Sequence, residues 1–152
     1  MNDSTTDFEF ANQDDIENII KIMRNGYYKC WDREFFLDLI KNRNSLLCVL
    51  KKEKSIIGFI AGKKSEENCD IIMLIIDIKN RGEGFGSLLL SNTLLVLKDM
   101  RVKNIYLEVA VNNSSAISLY EKYGFKKINI RKSYYKFNKT MIDAVLYRMV
   151  NS

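Results

Sequence analysis

The sequence contains no histidine and no proline. Without histidine, acid–base chemistry has to come from Asp, Glu, Tyr, Cys, Lys or water, and no imidazole is available to a metal. Without proline, tight turns fall to Gly, Asn, Asp and Ser, and slow prolyl isomerisation is absent from folding. Three cysteines, Cys30, Cys48 and Cys69, are odd in number and widely spaced. That fits neither a disulfide framework nor a zinc site, so no metal is expected. Long apolar runs are missing too. The longest, Ile71 to Ile76, falls far short of the roughly 20 residues a spanning helix needs, which argues against a membrane helix. Residues 1–7 have neither a basic nor an apolar stretch, so no secretory leader is expected and the cytoplasm is the expected location.

What is present is ordinary globular composition: 152 residues, 47% apolar and 28% charged. That length suits one domain over residues 1–152. The net charge of +5 would suit an anionic ligand or a ribonucleoprotein surface. No run of five like charges occurs, and the dispersed basic residues give no reason to expect direct nucleic-acid binding.

The pattern of elements runs β, α, α, β, β, β, α, β, α, β, β. Phe8 and Phe10 alternate with polar residues as a first strand. Asp14 and Asp15 can cap a helix with Ile16, Ile19, Ile20 and Met23 on one face, and Gly26 can end it. Asp32 opens a second helix. Strands follow at 46–50, 55–61 and 71–78, the last apolar on both faces as a central strand would be. A helix over 85–100 is expected to bury Leu88, Leu89, Leu95 and Val96. Then come a strand at 105–111, a helix at 114–123 closed by Gly124, and two strands, 126–134 and 143–150, joined by a polar loop. Two strand–helix–strand crossovers within hairpins imply an α/β sandwich with a mixed sheet.

The segment Arg81-Gly82-Glu83-Gly84-Phe85-Gly86-Ser87 joins a buried strand to a helix. Glycines permit a tight turn and close approach of a ligand to the amides. The first N–H groups of a helix lack internal partners and attract phosphate oxygens. A strand-to-helix turn without any ligand would read the same way. A Walker loop is excluded, because no Gly-Lys-Ser/Thr follows, and a dinucleotide fingerprint lacks its third glycine. Further on, Leu107-Glu108-Val109 continues into Asn113, then Ala116-Ile117-x-Leu119-Tyr120 and Gly124-Phe125. Glu108 shares a strand face with Tyr106 and Ala110. It reads either as a base made useful by burial or as a solvated carboxylate. Tyr120 lies on the helical stripe of Ala116, Ile117 and Tyr123, where a core aromatic is the plain alternative.

Together these segments resemble the GNAT family of N-acetyltransferases. The R-x-x-G-x-G loop resembles its acetyl-CoA pyrophosphate motif. The stretch L-E-V-x-x-x-N-x-x-A-I-x-L-Y-x-x-x-G-F is similar to the RimI-type ribosomal-protein-alanine and archaeal N-terminal acetyltransferases, as is the ending Arg131-x-x-Tyr134-Tyr135, then Asp143-Ala144. The resemblance implies a three-layer α/β fold: a mixed, mostly antiparallel sheet of about seven strands, flanked by about four helices and splayed at its centre. It implies acetyl-CoA as co-substrate and a protein N-terminus, possibly of a ribosomal protein, as acceptor. By position, Leu74, Ile75 and Ile76 match the strand that pairs with the pantetheine arm. Arg81, Gly82, Glu83, Gly84, Phe85, Gly86 and Ser87 match the pyrophosphate cradle, with Glu83 tolerable only if it points to solvent. Asn113 matches a further cofactor contact. Glu108 matches the general base and Tyr120 the general acid. Trp31, Tyr134 and Tyr135 fall where the acceptor binds. Two alternatives stay open: acetylation of a lysine side chain or a small-molecule amine, and a non-catalytic acyl-CoA-binding subunit.

Overall fold

A computed structural model describes residues 5–26, 30–137 and 139–151, with the backbone alone at 136 and 137. Seven strands form one sheet: β1 (Thr6–Phe10), β2 (Ser45–Lys52), β3 (Ser55–Ser65), β4 (Asn68–Ile76), β5 (Asn104–Ala110), β6 (Lys126–Phe137) and β7 (Thr140–Val150). Their spatial order is β1-β2-β3-β4-β5-β7-β6. All neighbours are antiparallel except β4 and β5. The expected layered α/β architecture with a mixed sheet is what the chain adopts.

Helices α1 (Ile16–Arg24) and α2 (Arg33–Lys41) cover one face of the sheet, and α3 (Phe85–Asp99) and α4 (Ser114–Lys122) the other. Strand alternation divides the core accordingly. Leu47, Val49, Phe59, Ala61, Met73 and Ile75 pack under α1 and α2. Cys48, Leu50, Ile60, Ile71, Ile105 and Leu107 pack under α3 and α4.

Local chemistry sets the helix ends. The Asp32 carboxylate accepts from the Phe35 N–H at 3.0 Å and starts α2. The start of α1 differs from expectation. Asn12 caps a three-ten turn, and the buried Asp15 accepts from the Asn12 N–H at 2.9 Å, a reciprocal capping box. Lys51 sits 3.4 Å from Asp15 and compensates its charge.

Three further expectations are corrected. Helix α3 buries Leu89, Leu90, Thr93 and Leu97, while Leu88 and Leu95 are 36% and 64% exposed. A helix apolar nearly all round has no stripe to fix its rotation, so packing chooses. Strand β4 stops at Ile76, and residues 78–80 form a three-ten turn. The polar loop after residue 134 is instead the tip of a long hairpin: Tyr135 pairs with Ile142 and Phe137 with Thr140.

Between Ala61 and Gly62 the β3–β4 register shifts, so that Ile72 is an extra residue in β4. Such a bulge bends a strand and increases its twist. Pairing of β4 with β5 ends at that same point: it runs from Asn68 with Asn104 to Ile71 with Leu107 and no further. Beyond it β4 stays with β3 up to Ile76, and β5 stays with β7 up to Ala110. The sheet therefore opens at its centre.

Cys48 and Cys69 are buried, and desolvation pushes each thiol up to about 12; Cys30 is exposed. Titration with a chromogenic disulfide at pH 8 is expected to modify one thiol rapidly in the folded chain and all three in denaturant. Rapid modification of two or three in the folded chain would contradict this packing.

Candidate active site

The opening between β4 and β5 leads into a cavity of about 350 Å³, within the size range of small-molecule sites. Its walls come from β4, the β4–α3 loop, β5 and α4. Of the residues singled out in the sequence, Leu74, Ile75, Ile76, Arg81, Gly82, Gly84, Phe85, Gly86, Ser87, Glu108, Asn113, Tyr120 and Tyr135 all line it.

The strand wall offers backbone groups. Successive N–H groups along a strand point to opposite sides. Asp77 donates its N–H to Ile57 of β3 at 2.7 Å, so the Ile76 N–H and C=O face the β5 side. The Arg81 Nε donates to that Ile76 carbonyl at 2.9 Å. Arg81 thereby ties the loop to the strand end. Its guanidinium also lies against Gly26, where an added Cβ would fall 2.3 Å from it.

The glycine loop is bent by Gly82 and Gly84, with φ of +78° and +85°, values that disfavour any residue with a Cβ. Gly84 occupies the N-cap of α3 and supplies no side-chain hydrogen bond. The first-turn N–H groups are thus left for a ligand. Glu83 is exposed and is not part of the cavity wall. Gly86 faces Leu119 and Ile76, and a Cβ would meet them at 3.4 and 3.8 Å. The Ser87 and Tyr123 hydroxyls are hydrogen-bonded, a clasp between α3 and α4 that spacing did not reveal.

On the other wall, Asn113 caps α4, its Oδ1 accepting from the Ala116 N–H at 3.2 Å. Tyr120 is 7% exposed, with its ring edge-on to Phe125 at 5.7 Å. It is core and cavity wall at once, so both readings of the sequence apply. Glu108 is not an isolated buried carboxylate. Its side chain is half-buried and forms an ion pair with Arg131 Nε at 3.1 Å. Arg131 stands in the R-x-x-Y-Y segment, but nothing in its spacing linked it to Glu108.

Two of the residues expected to bind the acceptor, Trp31 and Tyr134, are not on the wall of this cavity. Trp31 stacks on Phe35 at 4.3 Å, and its backbone N–H donates to the Met23 sulfur at 3.3 Å. It packs in the α1–α2 layer, outside the cavity wall, because the adjoining Phe35 gives its ring an apolar partner there. Tyr134 is 39% exposed and also outside the wall, although its ring is edge-on to Tyr135, centroids 5.0 Å apart. The β6–β7 register is broken between Arg131 and Tyr135, with Ser133 at φ +52°, so strict alternation fails here and the two rings stay in contact. Asp143 holds this stretch in place: it accepts from the Ser133 N–H at 2.7 Å and pairs with Lys132 at 3.4 Å. The Ser133 N–H, then Lys132, hold its carboxyl below the usual range.

Residues 16–125 match the acetyltransferase (GNAT) family. The chain belongs to that family. It is 30% identical over 148 residues to an N-alpha-acetyltransferase of Saccharolobus solfataricus, covering 88% of this chain and 89% of that one. It is 32% identical over 123 residues to a ribosomal protein bS18-alanine N-acetyltransferase of Haemophilus influenzae, covering 80% and 82%. Its fold is similar to that of Arabidopsis thaliana NAA60 in complex with acetyl-CoA (TM-score 0.84, 20% identity, 96% of this chain and 98% of that one). The seven-stranded sheet with four helices is the GNAT fold, and the chain is an N-acetyltransferase.

Gly84→Ala tests the loop. A Cβ meets no atom within 4 Å there, so its cost lies in the positive φ alone, about 1–2 kcal/mol. Acetyl-CoA affinity by calorimetry is expected to fall about tenfold, with thermal unfolding moved by only a few degrees. Unaltered affinity would remove the loop from the site.

Proposed function

We propose that this N-acetyltransferase, one domain over residues 1–152 acting in the cytoplasm, transfers acetyl from acetyl-CoA to the α-amine of a protein N-terminus by direct attack. One observation carries the reading: a carboxylate, Glu108, and a phenol, Tyr120, line the same cavity as an uncapped helix start. The residues present fit acetyl-CoA. The N–H groups at Gly84–Ser87 suit a diphosphate, and the strand-free side of β4 at Leu74 suits an amide-bearing arm. Asn113, with Oδ1 committed to its cap, would add an Nδ2 donor. Acetyl-CoA supplies the activated acyl group as a thioester.

In this mechanism Glu108 takes a proton from the acceptor ammonium, through a water if needed. The neutral amine attacks the thioester carbonyl, and the Ile76 N–H steadies the charge that develops on its oxygen. As the C–S bond breaks Tyr120 gives its proton to the departing sulfur, and the surplus proton of the attacking nitrogen returns to the phenolate through water. Tyr135, on the wall beside Glu108, would orient the acceptor. The relatives named for N-terminal and ribosomal-protein acetylation support this acceptor class, a ribosomal protein among the candidates.

Proton affinity argues the same way. An α-amine has a pKa near 7.7–8.0 against about 10.4 for lysine, so at pH 7 roughly 10–20% of α-amines are neutral but under about 0.1% of lysines. A carboxylate without histidine suits the easier deprotonation. Tyr120→Phe is expected to lower kcat by about 10²-fold or more while acetyl-CoA affinity stays within twofold; unchanged turnover would take Tyr120 out of the mechanism. Mass spectrometry of peptides beginning Ala, Ser or Met, beside one α-blocked peptide carrying lysine, tests the acceptor. Modification of the free N-termini only is expected. Acetylation of the blocked peptide would assign the side chain instead.

A further inference from the structure

The ion pair between Arg131 and Glu108 poses a charge problem that the proposed reaction has to solve. In the free protein the carboxylate and the guanidinium balance each other at 3.1 Å. An acceptor ammonium needs Glu108 for itself. Its arrival takes Glu108 from Arg131, whose side chain is 52% exposed and is then open to an anion on the acceptor. Asp143, the acid on the same hairpin, cannot take over, since the Ser133 N–H and Lys132 already hold it.

We infer that the acceptor itself brings the missing carboxylate, as an acidic side chain on its second or third residue, and that Arg131 is the residue that reads it. This deepens the reading of the site given above and rests on it. The geometry supports it. Arg131 lies on β6, two strands from Glu108, and pairs in register with Ala144, which pairs in turn with Ala110. The small Ala144 lets the arginine stem cross β7. Its guanidinium also lies 5.2 Å from the Tyr134 ring centroid, a second resting place on the acceptor side. An extended peptide rises about 3.3 Å per residue. From an α-amine at Glu108, a guanidinium that has let go of that carboxylate is level with residues 2 and 3.

Charge around Arg131 points the same way, and it is less evenly spread than run lengths suggest. Residues 126–139 hold six of the 24 Lys and Arg and none of the 19 Asp and Glu, leaving 18 against 19 in the rest of the chain. Lys126 stands directly opposite Arg148 across the strand pair, and Arg148 donates to the Asn104 side chain at 2.7 Å rather than to an acid.

The test is kcat/KM on octapeptides that differ only at residue 2 or 3: Glu, Gln or Lys. Glu is expected to exceed Gln about five- to tenfold, mainly through KM, with Lys lowest. The preference should shrink as salt is raised from about 50 to about 500 mM. In Arg131→Gln the Glu-over-Gln ratio is expected to fall below twofold, and Arg131→Lys to keep part of it. If Arg131→Gln does not fold, the wild-type preference and its salt dependence decide alone. Equal rates on Glu and Gln peptides, a preference for Lys, or a Glu preference that survives Arg131→Gln would overturn the inference. So would tight binding of an RNA hairpin by the 126–139 segment with peptide turnover blind to these charges. Absence of α-acetylation on every peptide would overturn the acceptor class and this inference with it; α-acetylation indifferent to charge overturns this inference alone.

Discussion

The site depends on the end of hydrogen-bond pairing between β4 and β5. A central parallel pair would normally zip along its whole length, since each unpaired buried backbone group costs free energy. Here pairing stops at Ile71 with Leu107, where the extra residue Ile72 bends β4. Neither strand ends there, because each keeps its outer neighbour. The result is a row of strand N–H and C=O groups facing a gap instead of another strand. A ligand with amides of its own is the natural partner for such a row.

The other features follow from that opening. The loop after β4 has to turn sharply into α3, and Gly82 and Gly84 allow it with positive φ. Arg81 braces the turn on the Ile76 carbonyl. With glycine at the cap, α3 begins without a side-chain hydrogen bond, and its partial positive charge faces the gap. From the opposite wall, β5 presents Glu108 and α4 presents Tyr120. The Ser87 and Tyr123 hydroxyls join the start of α3 to the end of α4.

Much of this was legible in the sequence, for identifiable reasons. The element order followed from alternation and helical spacing, because most strands are buried on defined faces. The glycine loop and the L-E-V…N…L-Y stretch read equally as an ordinary turn and core residues by pattern alone, and it is their resemblance to the GNAT family that singled them out. Other features leave no trace in pattern. A bulge inside the all-apolar run Ile71–Ile76 disturbs no periodicity, so the opening was available only from resemblance. Helix α3 is apolar on almost every side, and its rotation was misread. Trp31 stacks on Phe35 in the α1–α2 layer and off the cavity wall, a placement that spacing does not encode. The Arg131–Glu108 pair joins residues from strands that are not neighbours, which no local spacing encodes.

Hydrogen exchange with and without acetyl-CoA tests the central claim most directly. The account predicts slowed exchange at Leu74, Ile76 and residues 84–87 on coenzyme binding, with β1 and β2 unaffected. Protection confined to another surface, such as α2 and the start of β2, with none along β4, would contradict it.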